Sequence, residues 1–359
     1  MAKKPGKAKP INLALQGGGS HGALTWGVLD RLLEDDRLAI HGVSGTSAGA
    51  MNAVVLADGM ARGGAAGARA ALERFWKAIS ESARFSPIQR SFWDKMTGNY
   101  SLDHSPSYLF FESVSRMFSP YDLNPSGFNP LRGLLNDLVD FDAVNNDDAL
   151  DVYVTATNVR TGRPRVFAAG EVTAEAVLAS ACLPQMFPAV EIDGEAYWDG
   201  GFTGNPALYP LIVRHSTPDI LVVQINPFVR RDLPRTARDI MNRVNEISFN
   251  SSLVKELRSI GLLHRVARER GLDLGNYTDT YLHLIHAQID EQDLVASSKL
   301  NAEWQYLRML FDRGRTWADT WIGEHFDRIG VESTLNLDAL YGDAHLPAPP
   351  LAAPVKAAE

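Results

Sequence analysis

The sequence predicts an α/β protein with a mostly parallel central sheet flanked by helices and a helical C-terminal region. Two strand-then-helix units occupy the first sixty residues, and such units build parallel sheets covered by helices. The fully apolar stretch DILVVQI, residues 219–225, is typical of a strand inside a sheet. After Pro234 the apolar residues mostly follow helical spacing. A chain of 359 residues can form one large domain or two.

The two N-terminal units each begin with a short strand. We expect strands at 11–15 (INLAL) and 38–43, and a helix of small residues from 48 to 56. The helix between the strands spans 21–33, because its apolar residues recur at helical spacing: Leu24, Val28, Leu29 and Leu32.

The middle of the chain returns to strands after residue 150. Strands are expected at 151–159 and 163–169, followed by a helix near 174–181. In EIDGEAYWDGG, Asp193 and Gly194 form a turn between two short strands.

These patterns predict four regions. Residues 1–10 form a basic flexible tail, and 11–230 form the α/β domain. Residues 231–345 form the helical C-terminal region, packed on that domain. The Pro/Ala-rich stretch 346–359 is expected to be disordered.

Charge and composition limit the function and the compartment. The net charge of −8 argues against nucleic-acid binding. The single cysteine, Cys182, excludes an internal disulfide and fits a reducing compartment. The lysines of the N-terminal tail precede too short an apolar stretch for a secretory signal, and no run of about 18 apolar residues occurs. We therefore expect a cytoplasmic protein that contacts membranes only transiently and peripherally.

A glycine-rich loop follows the first strand. In QGGGSHG, residues 16–22, the residues Gly17, Gly19 and Gly22 satisfy GxGxxG, the spacing of a dinucleotide-binding loop. Such a site also needs an acidic residue about twenty positions later to accept the ribose hydroxyls. Residues 42–45, at that position, contain no acid. The loop is therefore expected to hold a different negative charge, the alternative being a tight turn with no ligand.

The second strand leads into a GxSxG motif, Gly45 to Gly49, with Ser47 at its centre. Between a strand and a helix, this spacing is typical of a strained turn that exposes a nucleophilic serine, because only glycines leave room for it. A nucleophilic serine needs amides for the oxyanion that it creates. We expect the amides of the glycine-rich loop to supply them: Gly17, Gly18 and Gly19.

The serine also needs a base. His21 and His41 are the histidines in glycine-rich strand-end positions, and either can be structural. Asp199, followed by Gly200 and Gly201 at a strand end, is a better candidate, because a carboxylate there can accept a hydroxyl proton directly. The same Asp-Gly-Gly is also an ordinary hairpin turn.

Four motifs in order resemble the patatin-like phospholipase family: QGGGSHG, GTSAG, ASACLP (179–184) and DGG, over about residues 11–230. The resemblance implies a three-layer α/β/α fold and hydrolysis of lipid acyl esters, phospholipid or lysophospholipid. It implies a Ser47–Asp199 dyad, a serine-bound acyl intermediate, and neither metal nor cofactor. The resemblance also implies that Gly17, Gly18 and Gly19 form the oxyanion hole. The motif-supporting residues are His21, Gly22, Gly45, Gly49, Gly200 and Gly201.

The chain departs from the family pattern at His21, where Arg or Lys is usual. We therefore expect a charge that titrates near neutrality beside the loop.

Ten of the chain's 32 aromatic residues lie in the irregular segment 84–135. This aromatic segment either covers the site and holds acyl chains, or forms a satellite core beneath a long insertion. Two other functions stay open: an acyltransferase using the same serine, and a lipid- or effector-binding scaffold with a vestigial site. The helical C-terminal region is a candidate surface for a homodimer.

Overall fold

The protein forms one mixed sheet with helices on both faces. The computed structural model describes residues 8–146, 150–214, 216–230, 233–286 and 294–337. Within these ranges eight strands form the sheet, in the order β5-β6-β3-β2-β1-β7-β8, with β4 paired to β3. The strands are β1 (Lys9–Leu15), β2 (Leu38–Gly45), β3 (Asp151–Asn158), β4 (Pro164–Phe167), β5 (Val190–Ile192), β6 (Glu195–Asp199), β7 (Asp219–Gln224) and β8 (Tyr281–His286).

The central strands are parallel, which confirms the predicted fold class. β1 pairs in parallel with β2 and β7, β2 with β3, and β7 with β8. β4, β5 and β6 run antiparallel to their neighbours. The helices are α1 (Gly22–Glu34), α2 (Ala48–Ala83), α3 (Phe92–Thr97), α4 (Pro106–Ser115), α5 (Pro120–Leu123), α6 (Pro130–Leu138), α7 (Phe141–Asn146), α8 (Ala174–Ser180), α9 (Tyr209–Arg214), α10 (Ala237–Arg270) and α11 (Trp304–His325).

The strand register brings distant parts of the chain to one edge of the sheet. β1 and β2 end opposite each other, at Leu15 and Gly45. Gly45 lies opposite Val154 of β3, and Asp199 of β6 lies opposite Ala156, two residues further along the same strand. The turns that follow β1, β2 and β6 therefore meet at this edge.

Several elements differ from the sequence predictions. β1 begins at Lys9, inside the segment assigned to the tail, and α2 runs 27 residues beyond the predicted end at 56, across a break at Gly63 and Gly64. The region 231–345 was expected to be helical, but it contributes β8, which pairs with β7 and extends the sheet. The boundary at 230 therefore divides a single sheet. The predicted disordered end, 346–359, lies outside the described residues.

The aromatic segment 84–135 contains α3, α4, α5 and the start of α6. Seven of its ten aromatic side chains are exposed, and among them Phe85, Phe92, Trp93 and Phe110 are each exposed by at least 70%. These side chains do not form a satellite core, because a core would remove them from water. None of the helices in the described ranges is long and apolar enough to cross a membrane.

Helices α1 and α11 pack with their backbones in direct contact. A Cβ at Gly27 of α1 would overlap the Phe311 carbonyl oxygen, and one at Gly314 of α11 would overlap the Leu24 carbonyl oxygen. The Trp26 and Phe311 rings, 4.2 Å apart, fill the space beside this contact. The C-terminal helix is therefore part of the core that supports α1.

We expect Gly314→Ala to lower the free energy of unfolding by about 2 kcal/mol or more, because the added methyl group must push the two helices apart. Gly323→Ala is the matched control in the same helix, since a Cβ there meets no atom within 4 Å. It should stabilise the protein by up to about 1 kcal/mol through helix propensity. Denaturant unfolding measures both, and equal stabilities of the two variants would contradict the packing described.

Candidate active site

Ser47 lies at the turn between β2 and α2 in a strained backbone conformation. Its φ and ψ are 54° and −121°, a backbone conformation that residues other than glycine rarely adopt. Two close approaches hold it there: a Cβ at Gly45 would lie 2.5 Å from the Gly49 carbonyl oxygen, and one at Gly49 would overlap the Leu15 carbonyl oxygen. The Ser47 amide donates to Ser180 Oγ at 2.8 Å. Gly45 and Gly49 thus have the supporting places that the motif predicts.

The glycine-rich loop lies directly beside this turn. A Cβ at Gly17 would be 2.7 Å from the Ser47 Cβ. Gly19 has a φ of 58°, which favours glycine. A Cβ at Gly22, the first residue of α1, would lie 2.8 Å from the Ala48 Cβ, so the two helices start in contact.

The backbone amides of the three glycines in the loop differ in their hydrogen bonds. The Gly17 amide donates to Asn205 Oδ1 at 2.8 Å, and the Gly17 carbonyl accepts from Asn226 Nδ2 at 2.7 Å. Among the described residues, the Gly18 and Gly19 amides have no hydrogen-bond acceptor. Gly17 was expected to donate to an oxyanion, but its N–H is already used, so it supports the loop. The amides that remain available for the predicted oxyanion hole are those of Gly18 and Gly19.

Asp199 is at the end of β6 and only 1% exposed. Its Oδ1 accepts from the Gly201 amide at 2.7 Å, whereas Oδ2 is buried with no hydrogen bond of ordinary geometry. The Ser47 hydroxyl lies close enough to this carboxyl group to favour its charged form.

Burial raises the pKa of Asp199 to about 7, against the opposing effects of the Gly201 amide, the Ser47 hydroxyl and the Lys299 charge. A carboxylate with a pKa near neutrality is suited to accepting and returning a proton. The two glycines after it allow neighbouring residues to pack closely against this end of β6. A Cβ at Gly200 would overlap the Thr155 carbonyl oxygen, and one at Gly201 would overlap the Phe249 ring.

His21 is buried in the loop and does not have the role expected of it. Its Nε2 is 2.8 Å from Ser298 Oγ. Ser298 donates its single hydroxyl proton to the Val295 carbonyl, so His21 must be the donor in this pair. Burial, together with the charges of Lys299 and Arg230, holds the pKa of His21 well below its usual value. The prediction that this residue titrates near neutrality is therefore wrong, because it stays neutral there.

Four residues at this site were not assigned by the sequence analysis: Ser180, Asn205, Asn226 and Lys299. Ser180 belongs to the ASACLP motif, which was recognised without a role for this residue. Asn226 follows the apolar stretch of β7, and a polar residue after a central strand is a signal for the edge where sites form. Asn205 and Lys299 carry no signal that separates them from other polar residues.

The arrangement has the components that acyl transfer through serine needs: a hydroxyl on a strained turn, a buried carboxylate beside it, and two amides free to bind an oxyanion. Among the described residues, no group of three or more His, Cys, Asp or Glu side chains could hold a metal ion.

Comparison with known proteins places the chain in a family. The patatin-like phospholipase model matches residues 13–212, more than half of the chain. The chain belongs to the patatin-like phospholipase family, whose members are lipid acyl hydrolases. The resemblance found in the sequence is confirmed. A search of the curated proteins found no match.

Solved structures are similar at a low level. VipD from Legionella pneumophila aligns with a TM-score of 0.33 and 15% identity, over 84% of this chain and 66% of that one. The type III effector ExoU aligns with a TM-score of 0.32 and 15% identity, over 89% and 54%. ExoU of Pseudomonas aeruginosa, in a structure of its complex with SpcU, aligns with a TM-score of 0.36 and 15% identity, over 90% of this chain and 53% of that one. The chain spans about half to two thirds of the length of these proteins.

We expect Asp199→Asn to stabilise the protein at neutral pH. Because burial raises the pKa of Asp199, both states are protonated below about pH 4, and between about pH 4 and 7 only the unfolded state ionises. Wild-type stability is lost across this window, and asparagine avoids the loss. The gain should reach a few kcal/mol, at about 1.4 kcal/mol per pKa unit.

Denaturant unfolding at a series of pH values measures this gain. Asp193→Asn, at an exposed turn, controls for the replacement of an aspartate by asparagine. A stability difference for Asp199→Asn that does not change between pH 4 and 7 would contradict the burial argument.

Proposed function

We propose that the protein is a serine acyl hydrolase that cleaves lipid acyl esters, phospholipid or lysophospholipid, through a Ser47–Asp199 dyad. The observation that carries the proposal is the buried Asp199 carboxyl group, which the Ser47 hydroxyl approaches and which has one oxygen, Oδ2, without a hydrogen bond of ordinary geometry. Family membership supports a lipid ester as the substrate.

The first half of the reaction acylates the serine. Ser47 Oγ attacks the ester carbonyl carbon as its proton passes to Asp199, and the carbonyl oxygen becomes an oxyanion held by the Gly18 and Gly19 amides. The bond to the alcohol oxygen then breaks, and that oxygen takes the proton from Asp199. The products are a free alcohol, or lysolipid, and an acyl ester on Ser47.

Water completes the reaction by the same route. Asp199 takes a proton from the water, whose oxygen attacks the acyl carbon. When the tetrahedral intermediate collapses, the carboxylic acid leaves and the proton returns to Ser47 Oγ. No histidine enters these steps, and His21, which donates to Ser298, is not aimed at Ser47.

The strain at Ser47 and its position at the start of α2 both support this role. The helix N-terminus favours negative charge at the serine oxygen. The exposed aromatic side chains of the aromatic segment support access to substrate at a lipid surface, since they offer apolar area without a partner in the described chain.

We expect Ser47→Ala to abolish labelling by a fluorophosphonate probe and hydrolysis of phospholipid. Asp199→Asn should lower the rate of both by about a thousandfold or more, because the hydroxyl then lacks its base. Asp193→Asn is the matched control and should react as the wild type does. Products are identified by mass spectrometry, with and without an alcohol acceptor.

Full hydrolysis by Ser47→Ala would end this proposal. Predominant ester formation with the alcohol would make the protein an acyltransferase at the same serine.

The pH dependence should follow Asp199. We expect kcat/KM to fall as pH decreases through about 7, because protonated Asp199 cannot accept the Ser47 proton. His21→Ala should show the same fall of kcat/KM at low pH, the acid limb of the pH profile, since His21 is already neutral in this range. A limb that disappears in His21→Ala would assign the proton transfer to the histidine.

A further inference from the structure

A short segment of the C-terminal region forms one wall of the glycine-rich loop. It is a 3₁₀ turn, Ser297–Leu300, far outside the family match at 13–212. A Cβ at Gly19 would lie 2.5 Å from the Lys299 carbonyl oxygen, so the two backbones touch. The hydrogen bond between Ser298 and His21 holds the same two segments together.

The Lys299 side chain reaches the loop through an asparagine. Lys299 Nζ donates to Asn226 Oδ1 at 2.6 Å, and Asn226 Nδ2 donates to the Gly17 carbonyl at 2.7 Å. The Asn226 amide donates to Gln16 Oε1 at 2.8 Å, which fixes the backbone of the asparagine. The ammonium therefore sits at the end of a hydrogen-bond chain that leads to the loop beside Ser47.

The charge of Lys299 has no ion-pair partner within 4.0 Å among the described residues. The nearby Glu246 is already paired with Arg230 and Arg243, at 2.7 and 3.0 Å. Burial lowers the pKa of Lys299 to about 8, so the ammonium remains mostly charged at neutral pH. Among the described residues, the charged and titratable groups around it are Asp199 from β6, Glu246 and its partner Arg243 from α10, Arg230 from the segment after β7, and His21 from the loop.

A partly buried cation without a paired carboxylate is costly, because it loses hydration without a direct partner. The cost is offset where negative charge is present or develops nearby. This site offers two such charges, the Asp199 carboxylate and the oxyanion expected at Gly18 and Gly19.

We propose that Lys299 is a positioning residue of the active site. Its ammonium holds Asn226 and, through it, the Gly17 carbonyl and the oxyanion loop, while its positive charge offsets the negative charges of Asp199 and the oxyanion. The inference rests on the proposed function, because it assigns a role in the same acyl transfer. It makes the C-terminal region a contributor to the reaction.

The test compares Lys299→Met with Lys299→Arg, which keeps the charge, and with Lys255→Met, an exposed lysine of α10 that controls for net charge. We expect Lys299→Met to lower kcat/KM about tenfold or more, on an uncharged p-nitrophenyl ester as well as on dispersed phospholipid. The acid limb of its pH profile should move up by about one unit, because Asp199 loses a neighbouring positive charge. Lys299→Arg should recover most of the rate and the limb, and Lys255→Met should match the wild type.

Asn226→Ala separates the two effects of the lysine. It breaks the hydrogen-bond chain to Gly17 but leaves the ammonium in place. We expect a loss of rate comparable with that of Lys299→Met and an acid limb closer to that of the wild type.

A readout without turnover keeps the inference separate from the proposed function. Infrared difference spectra against Asp199→Asn follow the protonation of Asp199 directly, and its midpoint should rise in Lys299→Met and not in Lys255→Met. An unchanged midpoint and rate would overturn the role of Lys299. A loss confined to phospholipid would make Lys299 a contact for the phosphate group and would also overturn it. A shifted midpoint in a protein whose Ser47→Ala variant still hydrolyses lipid would contradict the dyad alone.

Discussion

Direct backbone contact between two glycine turns is the constraint on which the site depends. Gly49 lies against the Leu15 carbonyl, and Gly17 lies against the Thr46 carbonyl and the Ser47 Cβ, so the backbones of the turns after β1 and β2 are in close contact. A Cβ at either glycine would push the two turns apart. These close contacts restrict the backbone around Ser47 and support its strained conformation.

Burial of the Asp199 carboxyl group raises its pKa and lowers the stability of the folded protein at neutral pH. Among the described residues, the Asp199 carboxyl group has one hydrogen bond of ordinary geometry, from the Gly201 amide, where a carboxylate in water would have several. A second donor to Oδ2 would stabilise the charge and the fold, but it would also weaken the carboxylate as a base. The structure leaves this buried oxygen without a hydrogen bond of ordinary geometry, which is common at functional sites.

The sequence predicted those parts of the site that depend on local geometry. A strand, a glycine turn and a helix impose residue types at fixed spacing, which is why Ser47, Gly45 and Gly49 could be found from the motif alone. The neutral state of His21 and the engaged amide of Gly17 depend on burial and on partners, Ser298 and Asn205, that lie far away along the chain. Strand β8 was missed because six residues of mixed apolar and histidine character, YLHLIH, carry a weak strand signal inside a long helical region.

The contact between the glycine-rich loop and the Lys299 carbonyl has a consequence for biosynthesis. About 280 residues separate the two sides of this contact, and a similar distance separates α1 from its partner α11. While the chain emerges from the ribosome, the apolar face of α1 has to wait for a helix that is translated much later. A nascent chain therefore carries an unfinished loop and an uncovered helix until the residues of Lys299 and α11 have been translated.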